Sequence, residues 1–390
     1  MAVAELARSL KLQGRSIINL AVGEPDFDTP GFIKLAAIEA LMAGKTKYTN
    51  VDGTADLKQA IADKLRRENG LNYAQNQIIA SSGAKQAIFN AFFAVLEAGD
   101  EVLIPAPYWV SYPEIATVAG ARAVCISPGP QSGFKLTAAA LRAHLTPAAR
   151  MLILNSPNNP SGAIYTRREL EALGEVIASH PRLLVLCDDI YEHIRWGQES
   201  FCNLAMARPD LLERILVVNG VSKAFAMTGW RIGYAAGPDW LIAAMRKIQS
   251  QSTTSANSIA QHAAATAINA GPAVSAPMIQ AFSRRHELLV NGLNCIAGIR
   301  CPRADGTFYA FPDVSGMLRA SGLGSDSDLA EHWLRTAGIA VVPGTAYGMP
   351  GHVRFSFAAS EAELSEALLR LERVAAEPTP TKRIQPQGAT

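Results

Sequence analysis

The stretch RILVVNGVSK, residues 214–223, is an apolar, β-branched run that stops abruptly in small and polar residues and a lysine. Four other stretches are built the same way: QIIASSGAK (77–85), DEVLIPAPYW (100–109), MLILNSPNNPSG (151–162) and LLVLCDDIY (183–191). Short continuous apolar runs of this kind suit strands buried on both faces. Helical patterns such as AIFNAFFAVLEAG and RRELEALGEVIASH lie between most of them. Strands alternating with helices predict an α/β fold with a mostly parallel central sheet covered on both sides. In open sheets of that type, ligands gather outside the carboxyl ends of the strands. Each of the five runs carries its chemically useful residues at that end, which predicts one shared site.

Beyond about residue 285 the pattern changes. A charged helix, SRRHELLVNGLN, precedes the short segments GTFYAFPDV, GIAVVPGTAYG and HVRFSFAAS and a final amphipathic helix. A chain of 390 residues is long enough for two cores. The expected division is a large α/β domain over 31–284 and a smaller α+β domain over 285–375. The polar, proline-containing end, EPTPTKRIQPQGAT, predicts a flexible tail over 376–390.

Composition narrows the function. Apolar residues make up 49% and charged residues 18%, as in ordinary globular proteins. A net charge of +2 without a basic block argues against nucleic acid and acidic membrane surfaces as partners. The start, MAVAELARSLKLQG, has helical spacing and lacks the apolar core of a signal peptide, and no run is long enough to span a bilayer. A cytoplasmic protein is expected. The five scattered cysteines and seven histidines match no common metal-ligand spacing, so no metal site is expected.

The chemistry concentrates in VVNGVSKAFAMTGWRIGY (217–234). Lys223 follows the strand, Ser222 precedes it, and Arg231 stands eight positions on. An amine at a strand end can form a Schiff base with an aldehyde, while the planar guanidinium fork and a hydroxyl suit a phosphate. In IIASSGAKQAIFNAFFAVL a strand passes through a turn of small residues into a helix. Gly83, Ala84 and Lys85 would there offer backbone amides to an anion, favoured by the helix dipole. Asp188 and Asp189 end the most apolar of the strands. A carboxylate buried there needs a partner, unless it caps the next helix.

Together with AVGEPDFDTP (21–30), KTKYTNVDGTADLKQAI, APYWVSYPE, NSPNNPSG and HVRFSFA, these motifs fall in family order. From about Leu20 to Phe357 the sequence resembles the class I aminotransferases that depend on pyridoxal 5'-phosphate, in particular the bacterial branch that includes aspartate aminotransferases. The resemblance implies the fold type I architecture of pyridoxal-phosphate transferases, with residues 1–30 joining the smaller domain. It implies that Lys223 holds the cofactor aldehyde and, once displaced, moves the substrate proton. Asp188, rather than Asp189, would face the pyridine nitrogen, with Tyr191 and Asn159 at the phenolic oxygen and Trp109 stacked on the ring. Gly83, Ala84, Lys85, Ser222 and Arg231 would surround the phosphate. Tyr48 would reach the phosphate of a neighbouring subunit, implying a homodimer.

On the substrate side the resemblance assigns Arg354 and the Gly23 amide to the α-carboxylate, with Trp109 and Asn159 alongside. Lys85 falls where this branch contacts the distal carboxylate of aspartate or glutamate. The implied reaction passes the α-amino group of such an amino acid to a 2-oxo acid such as 2-oxoglutarate, in two half-reactions. Carbon–sulfur lyase chemistry and transamination of aromatic amino acids or prephenate are the alternatives. Close relatives place a KPSxT-like segment over the site ahead of the first helix. It is not seen here, so either it is absent or another element is expected to serve as lid.

Overall fold

All five apolar runs form strands of a single sheet. The computed structural model describes residues 2–127, 132–197 and 200–376. In chain order the early elements are helix α1 (Ala2–Leu12), strand β1 (Ile18–Asn19), helices α2 (Gly31–Met42) and α3 (Ala55–Asn69), β2 (Ile78–Ser81) and α4 (Ala84–Val95). There follow β3 (Glu101–Pro105), β4 (Arg122–Ile126), β5 (Ala149–Asn155), β6 (Leu184–Asp188), β7 (Ile215–Gly220) and β8 (Gly233–Ala236). Helix starts carry their own signals. The Thr54 hydroxyl accepts from the Leu57 amide to open α3, and Gly70, at φ 67°, closes it in the left-handed region.

Strands β2 to β8 form one sheet in the order β2-β8-β7-β6-β5-β3-β4. Only β8 runs against its neighbours in that sheet, pairing antiparallel with both β2 and β7. All other strands therefore end on the same side. Alternate residues divide between two cores. Leu103, Leu152, Leu154, Val185, Cys187 and Val217 pack into one. Val102, Ile104, Ile153, Leu186, Leu216 and Val218 pack into the other. A fully buried aliphatic side chain contributes about 1.5–3 kcal/mol. Double-sided burial thus fixes the register, since a one-residue slip would exchange the faces. The two strands not anticipated lack a continuous apolar run: β4 is a half-exposed edge, and β8 reads Gly-Tyr-Ala-Ala.

The chain divides into two compact units. The larger comprises residues 23–284 and 304–309, and the smaller 1–22, 285–303 and 310 onward. Residues 23–30 thus belong with the larger unit rather than with the smaller one, where the resemblance had put them, and so does 304–309. Within the smaller unit, β1 pairs in parallel with Ile339–Ala340, and Val342–Pro343 pairs antiparallel with Val353–Ser356. Trp333 packs against Phe355 in its core, with ring centroids 5.7 Å apart. From residue 377 on, the tail expected over 376–390 lies outside the described residues. Among the described residues, no helix is long and apolar enough to cross a membrane.

Candidate active site

The shared ends of β2, β3, β5, β6 and β7 carry, respectively, Ser81–Lys85, Pro105–Trp109, Asn155–Asn159, Asp188–Tyr191 and Gly220–Lys223. The antiparallel turn from β7 into β8 adds Arg231, because Gly220 pairs with Gly233 and the whole connection must lie at that end. Sheet topology alone therefore gathers most of the expected residues of the larger unit.

Lys223 is half-buried, and its Nζ donates to the Gly23 carbonyl at 2.6 Å. The same nitrogen lies 6.0 Å from the ring centroids of both Tyr191 and Phe308. Its positive charge also acts on the carboxylate of Asp188.

Asp188 is 4% exposed. Its Oδ2 accepts from the Tyr112 hydroxyl at 2.6 Å, and its Oδ1 from the Ile190 amide at 3.3 Å. Burial pushes its carboxyl above the ordinary aspartate range, although Tyr112, Ile190 and Lys223 all pull the other way. Such a group calls for a further cation. Asp189 has different surroundings. Its Oδ2 accepts from Asn203 Nδ2 at 2.6 Å, and burial together with the Glu192 charge drives its carboxyl well up.

Asn155, at the end of β5, donates to the Asp188 carbonyl at 2.8 Å and accepts from the Asn159 amide at 2.8 Å. This bridge fixes the Asn159 loop to the strand that carries Asp188. Asn158 donates to the Pro107 carbonyl at 3.1 Å and so ties in the segment before Trp109. Trp109 meets Tyr112 edge to face at 5.3 Å. Lys85 sits 4.8 Å above the indole ring, within cation–π range.

The end of β2 and the start of β8 approach closely around Gly83 and Arg231. The first amides of α4 have no intrahelical acceptor. Gly83 takes φ 84°, and a Cβ there would overlap the Arg231 guanidinium. A Cβ at Gly233 would overlap the backbone of Gly83 and Ala84. Arg231 itself is held at φ 55°, a left-handed conformation costing about 1–3 kcal/mol, and donates to the Thr228 and Ser82 carbonyls at 2.9 and 3.3 Å. Ser222 is buried next to Lys223.

Tyr48 stands apart, 93% exposed on a loop whose backbone is pinned from below. Gln261 accepts from the Thr54 amide at 2.7 Å, and Gln249 donates to the Val51 carbonyl at 2.6 Å. In the smaller unit, Arg354 is buried on Val353–Ser356. It donates to the Ala21 carbonyl at 2.8 Å and lies 5.2 Å from the Tyr347 ring. Elsewhere in the larger unit, Glu68, Glu192 and His193 converge, but buried Lys64 pairs with both carboxylates and Arg67 with Glu68, so two cations already supply their counter-charge.

Sequence reading missed Tyr112, Asn155 and Tyr309. Tyr112 stands three residues after Trp109, in the helix that starts at Ser111, a closeness in sequence that could have flagged it. Asn155 and Tyr309 gave no local signal, because their partners lie on other elements.

The family model described as aminotransferase class I and II matches residues 15–371. An aspartate/prephenate aminotransferase of Nitrosomonas europaea is 50% identical over 377 residues, covering 95% of each chain. The crystal structure of the aspartate aminotransferase from Rhizobium meliloti superposes with a TM-score of 0.93 at 45% identity, covering 96% of this chain and 95% of that one. The aspartate aminotransferase from Thermus thermophilus with maleate gives 0.88 at 43% identity, with the same coverage.

The chain belongs to the class I and II aminotransferases. It is an enzyme that transfers amino groups with the help of pyridoxal phosphate. The residues present fit that cofactor: an amine at Lys223, a buried carboxylate at Asp188 that calls for a cation, and a cradle where glycines admit an anion beside Arg231.

Proposed function

We propose that the enzyme takes the α-amino group from aspartate or glutamate and passes it to a 2-oxo acid such as 2-oxoglutarate. Bound pyridoxal phosphate supplies an electron-poor ring that makes the substrate α-hydrogen acidic. Lys223 holds the cofactor between turnovers. With the cofactor bound, the Lys223 amine would be the group that takes the substrate α-proton and delivers it to the cofactor C4′ carbon. Asp188 pairs with the pyridine nitrogen and keeps it protonated, Trp109 walls the ring, and Tyr191 and Asn159 serve the phenolic oxygen. Ser222, Arg231 and the amides of Gly83, Ala84 and Lys85 hold the phosphate. Arg354 and the Gly23 amide bind the substrate α-carboxylate.

The acidic-substrate reading rests on Lys85, whose ammonium lies over the Trp109 wall. A side-chain carboxylate carried beside that wall would meet a point charge without demanding bidentate geometry. The Thermus structure with maleate, a dicarboxylate, supports the same class. Prephenate is the second amino acceptor to consider, because it appears in the names of the Nitrosomonas europaea and Cereibacter sphaeroides relatives. Titrating aspartate into the purified holoenzyme should convert the visible cofactor band to the shorter-wavelength band of the aminated cofactor. Addition of 2-oxoglutarate should reverse it. A spectrum that ignores aspartate but responds to aromatic amino acids would refute the acidic preference.

The protein is further proposed to work as a homodimer in the cytoplasm. Helix α2 buries Ile33, Ala36 and Ala40 yet leaves Phe32, Leu35, Ile38, Leu41 and Met42 exposed, an apolar face suited to a second copy. Pinned but projecting, Tyr48 suits a residue offered to a neighbour's phosphate. The variant Ile38→Asp should sediment as a monomer at concentrations where the wild type is dimeric; an unchanged dimer would exclude this face. Five free thiols fit a reducing compartment.

A further inference from the structure

Tyr309 lies among the site residues of the larger unit, yet no role follows for it from the reading above. It is 1% exposed, and its hydroxyl oxygen is 3.1 Å from that of Tyr191. Its ring meets Tyr191 edge to face at 6.0 Å and leans on Phe308 at 4.7 Å. The same hydroxyl comes within 3.1 Å of where a Cβ on Gly23 would stand. Gly23 in turn accepts from Lys223 through its carbonyl. Tyr309 therefore joins the tyrosine, glycine and lysine assigned to cofactor and substrate.

The direction of the bond between the two hydroxyls follows from counting protons. Each tyrosine hydroxyl has one proton to give and two lone pairs with which to accept. A Tyr191 that gives its proton to the cofactor phenolic oxygen has none left for Tyr309. The bond between them can then form only if Tyr309 donates.

We propose that Tyr309 is a positioning residue, which donates its proton to the Tyr191 oxygen and thereby directs the Tyr191 proton at the cofactor phenolic oxygen. The inference rests on the assignment of Tyr191 to that oxygen. A hydroxyl that accepts one hydrogen bond becomes a better donor in the next, so the effect on the cofactor exceeds mere orientation. A donor at the phenolic oxygen favours the form in which the lysine-linked nitrogen has lost the proton it shares with that oxygen. Weakening the donor must raise the pH at which this proton leaves.

The test is a pH titration of the visible spectrum of substrate-free holoenzyme in Tyr309→Phe, Tyr191→Phe and the double variant. Tyr309→Phe keeps the buried ring and removes only the hydroxyl. Its spectral transition should move up by roughly 0.3–1 pH unit, the size expected for loss of one neutral hydrogen bond. In the Tyr191→Phe background the same substitution should add nothing. A transition in Tyr309→Phe that stays put, moves down, or shifts equally without the Tyr191 hydroxyl would overturn the proposal. If Tyr191→Phe alone leaves the transition unmoved, the assignment of Tyr191 fails and the proposal with it.

Discussion

Replacing Lys223 by alanine is expected to lower the transamination rate roughly 10⁴-fold, at the upper end of what one positioned proton-transfer group supplies. The argument is geometric. Lys223 ends the turn that leaves β7, and its amine sits against the Gly23 carbonyl with Tyr191, Phe308 and Asp188 around it. The nearest other lysine on these strand ends, Lys85, is exposed and lies over Trp109. It stands in the first turn of α4, on a different strand end from Lys223. The residues proposed to hold the phosphate and face the ring are untouched by the substitution, so the variant should still take up pyridoxal phosphate. Single-turnover mixing with aspartate measures the loss directly. A rate within tenfold of the wild type would remove Lys223 from the proton transfer.

Asp188→Ala is expected to weaken cofactor binding by roughly 10²- to 5 × 10³-fold, since removing one partner of a buried charge pair costs about 3–5 kcal/mol. Equilibrium dialysis with pyridoxal phosphate reads it. The same carboxylate should behave oppositely in the cofactor-free protein. Burial raises its pKa above the unfolded value despite Tyr112, Ile190 and Lys223, so the folded chain holds this proton more tightly than the unfolded chain does. Stability is then withdrawn as pH rises through the ordinary aspartate value of about 3.9, and the withdrawal is complete above the raised value. Asp188→Asn lacks this term. Between pH 4 and 8 its cofactor-free form should lose less thermal stability than the wild type, while its cofactor affinity falls. Parallel pH profiles for the two apoproteins would contradict the burial argument. Unchanged cofactor affinity in Asp188→Ala would remove Asp188 from the ring nitrogen.

The parts of this fold that were legible in sequence are those whose signal is local. Five strands announced themselves because burial on both faces demands uninterrupted apolar residues, as in LLVLCD and MLIL. Strand β8 did not, because it is four residues long, is held by pairing on both edges, and must be glycine at 233 where it meets Gly83 and Ala84. The boundary of the larger unit near residue 23 was equally hidden. Gly23 belongs there through contacts with Lys223 and Tyr309, which lie 200 or more residues along the chain. Site residues followed the same division. Lys223, Arg231 and the aspartate pair stood out by type and position at strand ends. Local sequence does not separate Asp188 from Asp189, whose surroundings differ: Tyr112 faces one carboxylate and Asn203 the other. Tyr112 and Tyr309 make their hydroxyl contacts with residues on other elements, Asp188 and Tyr191, and no spacing within one segment encodes those partners.

The account turns on which lysine carries the cofactor. Reducing the holoenzyme with borohydride fixes pyridoxal phosphate to the amine that holds it, and peptide mass mapping then locates the added group. The account predicts modification at Lys223, with a missed tryptic cleavage inside VVNGVSKAFAMTGWR. A pyridoxyl group on Lys85 or any other lysine, with Lys223 unmodified, would contradict it.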